Sequence, residues 1–281
     1  MHRSFLAMLM LGGLAFSSAA AVETFRPQMD NVAWQFSGDH FACTLALPIT
    51  NFGEVRFVRY AGEPLTLVVE PSIHLSSTKD IALSWHNPPW LTPLQSPRYD
   101  STGKLPLNFG EAESKALLEA MDKGLWGKVS FPAEIVELPS VKWQQAATAF
   151  RHCLDVLAPM SYRQARDMSL FYASGARALT LEQRQQLRSL SRYVALDKGV
   201  DKVLVDAFTD DTGDHLANLQ LARERAADVK AALLEAGMSA KLIQTRAHGD
   251  RYPSTNNQTA QAREQNRRVT IRVIRNRLGK R

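Results

Sequence analysis

From residue 32 to about 139, apolar and polar positions alternate over short stretches separated by turn residues. This pattern predicts strands at 32–36, 41–47, 54–60, 65–69, 81–85 and 128–131. A longer period interrupts it twice, predicting helices at 111–121 and 143–157. From residue 168 the texture changes. A strand at 168–173 precedes a helix at 180–197 with apolar Leu181, Leu187, Leu190 and Val194; then come a strand at 203–207, a helix at 216–236 ended by Gly237, and strands at 242–247 and 269–274. The fold class is α+β. A β-rich domain over 22–158 leads into a strand-helix-strand-helix-strand-strand domain over 159–281. The 21 residues between Ala247 and Val269 are long for an idle connection, so that loop either is functional or carries a short helix.

The first 21 residues carry a basic start at Arg3, an apolar run over 5–16 too short to span a bilayer, and small residues at Ala19, Ala20 and Ala21. They are expected to be a cleaved secretory signal, with a soluble mature chain from about Val22 in the periplasm. In an oxidising compartment the two cysteines, Cys43 and Cys153, are expected to form one disulfide. The formal charge of +6 does not point to nucleic acid, because the last 21 residues hold eight basic side chains against Glu264 alone and the rest is close to neutral. All five tryptophans (Trp34, Trp85, Trp90, Trp126 and Trp143) fall in the first domain, where core packing is their commoner fate. The histidines show no HExxH pair and no metal spacing, there is no GxSxG elbow, and Asp210, Asp211 and Asp214 lack the glycine and closing glutamate of a calcium loop. A non-enzyme without metal or cofactor is expected.

On the second helix of the second domain, Leu219, Ala222, Ala226, Val229 and Leu233 repeat at three and four and form the core stripe. Asn218 and Arg225 lie within roughly 20° of each other, about 70° from the centre of that stripe. The preceding loop, Phe208-Thr209-Asp210-Asp211-Thr212-Gly213-Asp214, opens at the N-terminal end of the helix. A loop carboxylate and a helix guanidinium can therefore face one small polar ligand. Spacing alone favours the plainer arrangement, in which Asp210 caps the loop and Arg225 is a solvated helix charge.

Phe208 to Gly213, then Asn218, Leu221, Arg225 and Ala226, then Gly249-Asp250 with Pro253, Asn257 and Thr259, then Asn266-Arg267-Arg268-Val269 together resemble the OmpA-like peptidoglycan-binding domain over about 110 residues. The resemblance implies that Asp210 and Arg225 hold the free end of the diaminopimelate side chain of the stem peptide. It also implies supporting hydrogen bonds from Thr209 and Asn218 and a further contact from Arg267 or Arg268. The chemistry is coherent, since a zwitterion offers its carboxylate to a guanidinium and its ammonium to a carboxylate. Ala207, Phe208, Ala222, Ala262 and Glu264 depart from that family's usual residues.

The segment around Phe150, Cys153, Leu157 and Pro159, with Ser174-Gly175 and Arg192-Tyr193-Val194 before Asp197, resembles the MotY family of flagellar motor proteins, as does a β-rich first domain tied to Cys153 by an early cysteine. This implies a T-ring component of the flagellar basal body that grips peptidoglycan and helps place stator units through partners such as MotX. A general wall-anchoring envelope protein is the alternative, and an envelope hydrolase the enzyme reading.

Overall fold

A computed structural model describes residues 22–75, 77–93 and 96–276. The expected signal sequence lies outside them. The first domain contains strands β1 (Glu23–Phe25), β2 (Gln35–Gly38), β3 (Ala42–Ile49), β4 (Gly53–Tyr60), β5 (Thr66–Pro71), β6 (Ile81–His86), β7 (Tyr99–Ser101), β8 (Leu107–Phe109), β9 (Trp126–Ser130) and β10 (Glu134–Leu138). Helix α1 (Glu111–Asp122) precedes β9, and α2 (Trp143–Val156) closes the domain. The strands form two five-stranded sheets, in the orders β2-β3-β4-β5-β8 and β1-β10-β9-β6-β7. The inward positions Leu45, Leu47, Val55, Phe57, Leu67, Val69, Ile81, Leu83, Val129 and Val136 are fully buried, as period-two patterning requires. Trp34 and Trp143 meet edge-on at 4.7 Å within that core, while Trp90 is two-thirds exposed.

The predicted strand at 32–36 begins later, at Gln35. Val32 and Trp34 are buried ahead of it, and the strand itself runs exposed along a sheet edge. Cys43 in β3 and Cys153 in α2 form a disulfide with Cα atoms 5.9 Å apart. The fit is close. A Cβ on Gly38 would come within 2.8 Å of the Cys153 sulfur and of the Ala42 carbonyl, so β2 can lie beside this bond only as glycine.

After α2, Pro159 and the short helix α3 (Tyr162–Arg166) lead into the second domain: β11 (Asp167–Phe171), α4 (Leu181–Leu196), β12 (Val200–Phe208), α5 (His215–Glu235), β13 (Ile243–Gly249), α6 (Ala260–Asn266) and β14 (Arg268–Arg275). Its sheet order is β11-β14-β12-β13, with β12 and β13 parallel and the other pairs antiparallel. Val203, Val205, Val269, Ile271 and Val273 pack fully buried beneath α4 and α5 through Leu187, Leu190, Val229 and Leu233. Thr180 and Gln183 form a reciprocal capping box at the start of α4, and Asp214 accepts the Leu216 and Ala217 amides at the start of α5. Gly237, at φ 88°, turns the chain out of α5. The long connection before β14 does contain a short helix, α6.

The domains touch. The Phe41 and Tyr193 rings meet at 5.8 Å, Gln164 donates to the Gly62 carbonyl, and Arg192 donates to the Asp155 carbonyl at 3.4 Å. A continuous apolar cluster contains residues of both domains.

Candidate functional site

The site is assembled where β12 ends. The Thr209 amide donates to the Gly249 carbonyl at 2.8 Å, which ties the loop after β12 to the end of parallel β13. Asp210 is nearly buried. One carboxylate oxygen accepts the Thr212 amide at 3.3 Å, as aspartates do in turns, and the other accepts Arg267 Nη1 at 2.9 Å. In the first turn of α5, Asn218 donates to the Thr212 carbonyl at 3.1 Å. Two turns on, Arg225 is 0% exposed, so it is not a solvated helix charge. The buried sector of α5 is broader than its apolar stripe and includes both polar residues of the flank.

Each guanidinium nitrogen of Arg225 has a distinct surrounding. Nε donates to the Ala176 carbonyl at 2.8 Å and Nη1 to the Phe208 carbonyl at 3.2 Å, while Nη2 is buried with no partner. The Tyr172 ring lies beneath it, 4.6 Å from ring centre to Cζ. Burial pulls the Arg225 pKa down, and the Asp210 carboxylate acts in the opposite direction. The group stays a cation across the ordinary pH range. Arg267 closes the ring of contacts by donating from Nε to the Tyr172 carbonyl at 3.0 Å and from Nη1 to Asp210. Thr209 Oγ1 is also buried and unpartnered.

Four of the expected residues therefore converge with Asp210: Thr209, Asn218, Arg225 and Arg267. Arg268 does not. Successive strand residues point to opposite faces, and its guanidinium lies 4.1 Å over the Phe208 ring, donating to the Tyr252 carbonyl. The Phe208 ring stacks on His248 at 4.8 Å, while its carbonyl faces Arg225. That departure from the family pattern thus places its ring against His248 and Arg268 and only its backbone carbonyl against Arg225. Glu264 is exposed and Ala222 buried. Tyr172 and the Ala176 carbonyl, which sequence reasoning did not single out, supply the third wall. The only sequence sign of them is their closeness to Ser174-Gly175.

An acidic residue held by one guanidinium, beside a second guanidinium with a free buried nitrogen, suits a ligand that carries both charges. Among the described residues no cluster of three or more His, Cys, Asp or Glu is arranged to hold a metal.

Residues 25–159 match the model of the MotY N-terminal domain, and residues 171–267 match the OmpA family. The chain carries a MotY N-terminal domain followed by an OmpA-family domain. The MotY match takes in both five-stranded sheets from Phe25 onward and the disulfide; the OmpA match takes in every residue of the site. Across both, the chain is 26% identical to the sodium-type flagellar protein MotY of Vibrio parahaemolyticus over 82% of each chain. The OmpA domain is 38% identical to the outer-membrane lipoprotein YfiB of Pseudomonas aeruginosa over 96 residues, 34% of this chain and 56% of that protein. The C-terminal domain of Helicobacter pylori MotB aligns over 38% of this chain and 83% of its own, at 24% identity and a TM-score of 0.35.

Proposed function

We propose that this chain is a periplasmic flagellar motor component that holds peptidoglycan with its OmpA domain. The observation that carries the reading is the joining, in one chain, of a MotY N-terminal domain to an OmpA domain in which Arg267 holds Asp210 and the buried Arg225, set on the Tyr172 ring, keeps one guanidinium nitrogen without a partner. In this reading the ligand carboxylate of a diaminopimelate stem peptide takes the free Nη2 of Arg225, and its ammonium takes the remaining lone pairs of Asp210. Thr209 Oγ1 and Asn218 complete the hydrogen bonds. The MotY domain docks on the basal body as part of the T ring and helps place stator units, with MotX as a partner. The protein acts by binding and not by catalysis.

Arg225 also anchors two backbone carbonyls, so Arg225→Ala would test folding as much as binding. Asp210→Asn keeps the shape and removes the charge. It is expected to weaken pull-down by isolated peptidoglycan by about 2–5 kcal/mol, the range for breaking a desolvated charge pair. Arg223→Ala, on another side of α5, should bind as the parent does. Undiminished binding by folded Asp210→Asn would move the site elsewhere. A deletion strain separates the motor from a general wall anchor: it should lose motility and stator placement, and a motile strain with normally placed stators would favour the anchor.

A further inference from the structure

β13 is an edge strand, bonded to β12 on one side only. In a parallel pair alternate residues turn their N–H and C=O groups away from the partner, so the outer side of β13 presents a row of strand-forming groups. Beside it, between β13 and α5, runs a groove of about 460 Å³. Ala226, Ala227 and Ala247 leave it open, and its charged lining consists of Arg223, Lys230 and Arg246, without a carboxylate. Arg246 is held by Asp206, but Arg223 and Lys230 make no ion pair among the described residues. The nearby acids of α5 are engaged elsewhere, Glu224 with Arg177 and Asp228 with Arg184. Exposed Lys241 and Arg251 extend the positive charge past both ends of the strand.

We propose that this edge accepts an acidic, extended segment of a protein partner as a fifth strand, with small side chains directed at the alanines and carboxylates at Arg223 and Lys230. The open backbone row calls for an extended polypeptide, and the cations select its charge. A second copy of this chain is disfavoured, because the same cations would face each other across the joint. The surface is separate from the Asp210 site, since Arg223 and Arg225 are two residues apart and so about 200° apart around the helix.

The test uses the disulfide-intact mature chain and a fluorescent decapeptide, Glu-Thr-Ala-Thr-Glu-Thr-Ala-Thr-Glu-Thr, in which Glu and Ala share one face of the strand. The peptide should bind, and on binding the amides of 243–249 should exchange with solvent more slowly. Arg223→Glu combined with Lys230→Glu, both on the exterior, should lower affinity at least tenfold while leaving peptidoglycan pull-down unchanged. The same peptide with Lys in place of each Glu should not bind. The proposal is overturned if the acidic peptide fails to bind, if it binds without protecting 243–249, or if inorganic polyphosphate displaces it while protecting the same amides equally. It is also overturned if the peptide does not bind and Arg223→Ala with Lys230→Ala makes the chain self-associate, since the cations would then serve only to keep copies apart.

Discussion

Asp206 illustrates how much a single buried carboxylate can organise. It is 3% exposed and receives Arg246 through two bonds of 2.6 and 3.0 Å, Arg272 at 2.9 Å and His248 at 3.0 Å. Burial alone would raise its pKa, but hydrogen bonds from Arg246, His248 and Arg272 outweigh that and hold it below the ordinary carboxylate value. A depressed folded pKa means that the stabilisation is complete above the unfolded value of about 4 and fades as pH falls through the folded one. Asp206→Asn is therefore expected to destabilise the protein at pH 7 by about 1–3 kcal/mol, the scale for hydrogen bonds to charged groups. The gap between variant and parent should narrow in acid, as denaturant unfolding at pH 7 and pH 3 would show. None of this was legible from sequence. Asp206 stands opposite Arg246 in the β12–β13 register, and Leu204, two residues before it, stands opposite Arg272 in the β12–β14 register. Only strand pairing brings the three together. Adjacency of loop and helix in the chain allowed Asp210 and Arg225 to share a site without deciding it, and the resemblance to the OmpA-like domain singled out the pair. Tyr172, which follows β11 and reaches the site only because β11 lies two strands from β12 in the sheet, was not legible.

At the scale of elements, the connection from β13 to β14 is held by Asn266, the last residue of α6 and 0% exposed. Its Oδ1 accepts from the Ser254 amide, the Ser254 hydroxyl and the Thr255 amide, and its Nδ2 donates to the Thr255 carbonyl and to Asn257 Oδ1. The next residue is Arg267, which holds Asp210. Asn266→Ala would strand several of these groups, with an expected loss of about 2–3 kcal/mol in thermal or denaturant unfolding. Peptidoglycan pull-down should weaken in step, because Arg267 loses its footing; retention of full affinity would detach this loop from the site. The long elements were legible because their periods repeat. Three-residue β1, β7 and β8 are too short to show alternation. In β10 the apolar Ile135 lies on the less buried face while Glu134 is buried, which breaks the pattern that would have announced the strand.

Across the whole molecule, the order of the two domains could be read from the change of texture near residue 160, but their mutual packing could not. It depends on Phe41 meeting Tyr193, on Gln164 reaching the Gly62 carbonyl at 3.3 Å and on Arg192 reaching the Asp155 carbonyl at 3.4 Å. The chain-entropy model gives a loop of 110 positions about 4–5 kcal/mol of stabilisation from its crosslink. Replacing both Cys43 and Cys153 by serine should lower the unfolding free energy, read from denaturant unfolding, by up to that amount, with little change in the site some way along the chain. The position of the crosslink also sets how the molecule bears load. Cys153 lies three residues before the end of α2, the helix that feeds the second domain. Tension applied between an anchored wall and a docked first domain would enter α2 from its end, reach Cys153 and pass directly through the covalent bond into β3. About 370 Å of contour, 110 residues at roughly 3.4 Å each, is thereby withheld from extension. Stretching single molecules from their two ends should show this length absent from the oxidised protein and released on reduction, so that the crosslink limits how far a strained tether can lengthen.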